Sequence, residues 1–312
     1  MFIGIDLGGT NIAVGVVTDE GKIIAQDSCP TLAEREYPEI VKDMVKTAEK
    51  AVEKAGLKMS DIEAIGVGSP GSIDYENGRV AYANNLKFKN TPIAAEIQKY
   101  YNIPVVLEND ANAAAFGEYI ASGEGCDIFV AITLGTGVGG GVIINNKIYR
   151  GFNGAGAELG HITLVHNGLP CSCGKKGCWE SYASVTALIS QTKAAMSKYP
   201  ESLMNTLAKD GVNGKTCFDA AKQGDAAALQ VVKKYAEYVA DGICSIINIF
   251  QPNKLVIGGG VSKQGDYLLN PIIEYARKYD YNKLFEKTEI KTATLFNDAG
   301  IIGAALAAKY MR

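Results

Sequence analysis

Cys171, Cys173 and Cys178 fall within the short stretch CSCGKKGCW, and three thiols so close together have few uses. They can form a disulfide knot, act as a redox cluster, or give three soft ligands to a metal. The other cysteines (Cys29, Cys126, Cys217 and Cys244) are scattered through apolar or helical-looking sequence, where a buried, inert thiol is the plain reading. The N-terminus MFIGIDLGGTNIAVGV lacks the basic start and unbroken apolar run of a secretory signal. A reducing, cytoplasmic setting is therefore expected, and a disulfide framework is not. Cys-x-Cys-x4-Cys leaves Zn2+ one ligand short of its tetrahedron, and the chain's 2 histidines, His161 and His166, both lie within ten residues of Cys171. A site closed by four protein ligands is structural and leaves no open position for Lewis-acid chemistry.

A second chemistry is suggested by glycine. DLGGTN (6–11) and LGTGVGGG (134–141) each read as a tight turn joining strand to strand. Such turns leave backbone N–H groups free to face an anion, with no Cβ in the way. They form a candidate pair of phosphate clamps, with Gly8, Gly9, Thr10 and Asn11 in one and Gly135, Thr136 and Gly137 in the other. A third glycine run, Gly258, Gly259 and Gly260, follows the strand-like KLVI and suggests a nucleotide held from three sides. Asp6 ends the first strand beside its turn, where a carboxylate would hold Mg2+ through water. The dinucleotide-binding alternative fails because these glycines do not join strand to helix, and no Walker A sequence is present.

The elements that position these groups repeat. FIGIDLGGTNIAVGVVTDEGKII from Phe2 lines up without a gap on FVAITLGTGVGGGVIINNKIYRG from Phe129, and ENDANAAAFG from Glu108 matches FNDAGIIGAA from Phe296. Each half has a glycine-turned hairpin and, later, a helix that starts Asn-Asp-Ala. Asp110 is expected to open the first of these helices and Asp298 to cap the second. Between them the pattern predicts a helix over 37–55 ending at Gly56, a strand AIGVG, a loop SPGSIDYENGRV, a helix TPIAAEIQKYY and a strand PVVLEN. Helices dominate 180–250. The expected architecture is a duplicated α/β fold, two lobes with a cleft between them. The smaller lobe would be residues 1–117 plus 298–312, and the larger 118–297. A net charge of −3 offers no basic field for nucleic acid or anionic membrane, and no run reaches the roughly 20 apolar residues of a membrane span.

DLGGTN, ENDANAAAFGE, LGTGVGGG, GAELGH and CSCGKKGCWESYAS together resemble the ROK sugar kinases, of the actin/Hsp70/hexokinase superfamily, and the resemblance runs from Phe2 to about residue 308. Repressors of that family carry a DNA-binding segment before the first hairpin. Here the hairpin begins at residue 2, so a stand-alone kinase is expected. The resemblance picks His161 as the fourth zinc ligand, with its other ring face touching the sugar. It assigns sugar contacts to Asn109, Glu158 and Glu180, to which Gly71 and Asn85 are added, with Asn84 beside it left open. It makes Asp110 the general base that takes a proton from the 6-hydroxyl of a hexose as Mg-ATP gives up its γ-phosphate, with GGGV (258–261) under the adenosine. NNLKFKNTPIAAEI is most similar to the glucokinase form, so glucose is the first candidate. N-acetylglucosamine, N-acetylmannosamine, mannose and fructose follow, and a homodimer is the family expectation. A sugar sensor without catalysis and a zinc hydrolase are the readings from other classes.

Overall fold

β1 (Phe2–Leu7) and β2 (Asn11–Val17) form an antiparallel hairpin with Ile5 opposite Val14 and Leu7 opposite Ile12, and β3 (Ile23–Pro30) extends it antiparallel at the edge. Successive residues of β1 face opposite sides. Ile3, Ile5 and Leu7 join the core that α1 (Tyr37–Lys54) covers with Ile40, Met44 and Ala48, whereas Phe2 packs on the other side with Ile301 and Ala305. β4 (Ala64–Ser69) lies parallel to β1. The stretch expected as a loop instead builds a small antiparallel sheet of β5 (Ser72–Asp74), β6 (Arg79–Ala83) and β7 (Phe88–Thr91). Then come α2 (Ile93–Gln98), β8 (Val105–Asn109) parallel to β4, and α3 (Asp110–Ser122).

The second repeat opens with β9 (Ile128–Leu134), β10 (Val138–Ile144) and the short β11 (Lys147–Ile148). A helical run follows: α4 (Glu180–Ala183), α5 (Val185–Lys198), α6 (Leu203–Leu207), α7 (Thr216–Ala221) and α8 (Ala226–Phe250). β12 (Lys254–Gly258), α9 (Asp266–Tyr279), β13 (Glu289–Thr292) and α10 (Ala299–Tyr310) complete it. The two large sheets have strand orders β3-β2-β1-β4-β8 and β11-β10-β9-β12-β13. Numbered within its own sheet, each reads third, second, first, fourth, fifth, so the duplication seen in the motifs extends to topology.

This computed structural model describes residues 1–310; Met311 and Arg312, which the expected smaller lobe includes, lie outside the described residues. The chain divides into two compact units. The first is Met1–Gly125 with Gly141–Ala157 and the segment from Thr294 onward; the second is Cys126–Gly140 with Glu158–Ala293. The expected boundary after residue 117 would cut α3, which the structure keeps whole in the first unit. The segment 141–157 also joins that unit, because Arg150 pairs with Glu108 there. Among the described residues, no helix is long and apolar enough to cross a membrane.

Candidate active site

In the first unit, α3 is set by its packing on α10. A Cβ at Gly303 would sit 1.6 Å from the carbonyl oxygen of Ala113, and one at Gly117 2.3 Å from that of Ala299, so the two backbones meet where glycine alone fits. The entry to α10 is held by Glu118, whose carboxylate accepts from Thr294 N, Thr294 Oγ1 and Leu295 N at 2.7–3.0 Å. Asp298, the expected cap of this helix, lies exposed at the end of the 3₁₀ turn Phe296–Asp298 and directly precedes the first residue of α10, while Glu118 holds the segment before it. The cap of α3 is Asn109 and not Asp110. Asn109 accepts from Ala111 N and Asn112 N at 3.0 and 3.2 Å, and Asp110 is the first helical residue.

Asp6 and Asp110 lie at the carboxyl ends of β1 and β8, parallel strands separated only by β4. That edge of a parallel sheet is where α/β proteins bind ligands. Burial, reinforced by the charge of Asp110, pushes the Asp6 carboxyl up to about 6. Burial also raises Asp110, against the backbone N–H of Ala111 that its Oδ1 accepts at 2.8 Å. The first glycine turn sits beside Asp6. Gly8 N donates to Asn11 O at 2.9 Å, so that amide closes the turn and is not open to an anion, leaving Gly9 and Thr10 at its tip. Asn85 faces the same tip, with its Nδ2 3.3 Å from where a Gly9 Cβ would stand, whereas Asn84 accepts from the Tyr82 hydroxyl at 3.3 Å. Gly71 has φ +94 and its carbonyl accepts from Asn109 Nδ2 at 3.1 Å, so it belongs to the support of Asn109.

In the second unit, the other glycine turn is built the same way. Gly135 N donates to Gly137 O at 3.0 Å. A Cβ at Gly137 would lie 2.3 Å from Glu180 Oε2, and this carboxylate oxygen accepts from Val138 N at 3.0 Å. Glu180, first residue of α4, is thus seated on the turn. Its other oxygen lies 3.6 Å from Cys171 Sγ and 3.5 Å from Ser172 Oγ. Glu158 is exposed and directly precedes the 3₁₀ turn Leu159–His161, and its carbonyl accepts from His161 N. Gly258 ends β12, Gly259 packs against the Leu134 carbonyl, and Gly260 is exposed.

His161, Cys171, Cys173 and Cys178 converge, with one ligand atom from each within 4.8 Å of the others. Cys173 and Cys178 have their sulfurs 3.6 Å apart, and Cys171 Sγ lies 3.6 Å from His161 Nδ1. A tetrahedral Zn2+ with bonds of about 2.3 Å to sulfur and about 2.05 Å to nitrogen sets those separations near 3.8 and 3.6 Å, so the cluster fits the ion. His166 is exposed and its Nε2 meets Asn167 Nδ2 at 3.0 Å instead. Trp179, next to Cys178, is fully buried. Its Nε1 donates to Tyr238 O at 2.8 Å, and its ring fills the space a Gly242 side chain would need on α8.

The family model described as ROK family matches residues 2–310. The chain belongs to the ROK family. The glucokinase of Streptomyces coelicolor is 39% identical over 310 residues, spanning 97% of this chain and 96% of the relative. That of Thermotoga maritima is 39% identical over 310 residues, spanning 97% and 95%. A solved ROK family glucokinase from Streptomyces griseus, in complex with glucose and AMPPNP, is similar with a TM-score of 0.85 and 38% identity over 99% of both chains. The fold of this ROK chain is accordingly the actin- and hexokinase-like α/β fold.

Sequence reading missed the residues that brace the two turns of this ROK chain. Thr31, fully buried, donates its hydroxyl to Gly8 O at 2.7 Å and its amide to Thr10 O at 2.9 Å. In the second unit, Val185 N reaches Gly135 O at 2.8 Å and Thr186 Oγ1 reaches Thr136 O at 2.7 Å. The gapless match of the two hairpins carried no signal for these partners, because they come from unrelated places in the two repeats.

Proposed function

We propose that this chain is an ATP-dependent hexose kinase that phosphorylates the sugar 6-hydroxyl, with glucose as its first substrate. The observation that carries the reading is the placement of Asp110 and Asp6 at the carboxyl ends of β8 and β1, parallel strands separated only by β4, with the first glycine turn beside Asp6. The full-length likeness to glucokinases, one of them solved with glucose and an ATP analogue, supports it. Asp110 takes the proton of the 6-hydroxyl as that oxygen attacks the γ-phosphorus, and ADP leaves. Backbone amides at the tips of the turns (Gly8–Asn11 and Gly135–Gly137) hold phosphate oxygens, and Gly258–Gly260 borders the adenosine. Asp6 would hold the nucleotide's Mg2+ through water, and the ion would supply neutralising charge at the phosphates. Sugar hydroxyls are the proposed partners of Asn109 and Asn85, with Gly71 behind Asn109, and, by the family resemblance, of Glu158, His161 and Glu180. His161 can meet them through Nε2 because Nδ1 faces the thiols. The four-ligand cluster holds a structural Zn2+ that ties His161 to the turn preceding Glu180. Family membership also leads us to expect a cytoplasmic homodimer.

The test is sugar-dependent ADP release from Mg-ATP across glucose, mannose, fructose, N-acetylglucosamine and N-acetylmannosamine. Strong turnover is expected on glucose. Silence on every sugar, from folded, zinc-loaded protein, would replace the kinase by a sugar sensor.

Both acids must be ionised for this reaction, and burial raises both. Lowering the pH should therefore cut kcat/KM as it passes about 6, where Asp6 takes up its proton. A rate that holds down to about pH 4, the ordinary aspartate range, would show that neither acid is desolvated when the enzyme works.

A further inference from the structure

The residue before Asn109 and Asp110 is a glutamate with 1% exposure, and the reaction has no use for its charge. Glu108 nevertheless gathers donors from three segments of the first unit. Its Oε1 accepts from the Tyr75 hydroxyl at 2.8 Å, from Asn109 N at 2.9 Å and from Asn112 Nδ2 at 3.1 Å. Its Oε2 accepts from Arg150 Nε at 2.9 Å and Nη2 at 2.5 Å. The Arg150 guanidinium also lies 4.1 Å over the Tyr75 ring. A buried carboxylate is costly unless its lone pairs are filled, and an apolar strand end would avoid the cost. This one holds the amide of Asn109 and the side chain of Asn112, the residues that flank Asp110 and its first helical turn. Its far side anchors the loop that begins at Arg150. Gly156 N returns to Arg150 O at 2.9 Å, and a Cβ at Gly154 would strike the Tyr75 ring at 2.7 Å. In chain order that loop leads directly to Glu158.

We propose that Glu108, clamped by Arg150 and Tyr75, is a positioning residue for Asp110, and that Arg150 and Tyr75 act through it. The inference rests on Asp110 as the general base. A misplacement of about 1 Å at a reacting group can cost about 100-fold in rate, which sets the scale.

The experiment compares E108Q, R150M, R150K and Y75F with D110N and the double variant E108Q/D110N, all in the full chain, by kcat, both KM values and thermal unfolding. E108Q should lower kcat about 50-fold with the KM for ATP within about twofold of wild type. R150M should follow it. R150K, which keeps the charge but loses the fork, should recover about fivefold of that loss. On a chain that already lacks the base, E108Q should cost less than about threefold, because a misaimed base and an absent one are the same defect. E108Q within about threefold of wild type would overturn the proposal, as would the same full loss repeated on D110N. Should E108Q not fold, Y75F removes a single hydrogen bond; its expected loss of about fivefold must likewise vanish on D110N, and persistence there overturns the proposal. Failure of the base reading looks different: D110N alone would then keep more than about a tenth of the wild-type rate.

Discussion

Asp110→Asn should lower turnover about 10³-fold while the sugar still binds, within the range that a general base contributes. The substitution keeps the size and the helical position of the side chain and removes only its ability to take a proton. Sugar affinity, measured by equilibrium binding, should stay within a few-fold, since Asn109 and its contact with Gly71 are untouched. Retention of more than about a tenth of the rate would remove Asp110 from the role. Stability should move the other way. Raised acids bind more protons folded than unfolded, so their penalty is absent below about pH 4, grows as pH rises toward about 6, and is complete at pH 7. Deleting the Asp110 charge lifts part of the penalty on Asp6 as well. At pH 7 the variant should melt about 2–4 °C above wild type, roughly the worth of 1 kcal/mol in a domain of this size. At pH 4 the gain should disappear.

Stripping the zinc, or replacing the exposed Cys173 with Ala, should cost turnover about 100-fold with little change in helix content. The cluster is not the core of its unit. Trp179 is held on α8 by its bond to the Tyr238 carbonyl and by its packing at Gly242. At the proposed zinc site the metal would act locally, on the turn carrying His161 and the stretch leading to Glu180. The defect should appear first as a raised KM for sugar. Metal analysis should find one zinc per chain, and adding zinc back to chelated wild type should restore the rate. Active protein that holds no zinc would show that the thiols suffice by themselves.

Much of this architecture could be read before any coordinates, and the reason is the duplication. Two hairpins that align residue for residue, each followed later by Asn-Asp-Ala, leave few alternatives for the sheets they begin. The cysteine spacing was equally direct, because three soft ligands and two nearby histidines constrain chemistry more than they constrain fold. The sheet β5-β6-β7 was hidden. Its strands are too short for an alternating pattern, and Asp74 folds back on Asn77 in a turn that reads as loop. The clamp on Glu108 was hidden for another reason. Glu108 and Arg150 are 42 residues apart, and neither motif implies the other. Glycines announced the turns but not which amides the turns themselves consume: Gly8 and Gly135 spend theirs internally.

Trp179 is the chain's only tryptophan, and it sits between the last cysteine of the cluster and Glu180. Selectively excited emission therefore comes from a single address. Its indole is dry and hydrogen-bonded to the Tyr238 carbonyl, so any loosening of that stretch lets in water and moves the spectrum to the red. With zinc and sugar bound as proposed, the protein carries its own optical probe of metal loss and of sugar arrival, with no label attached.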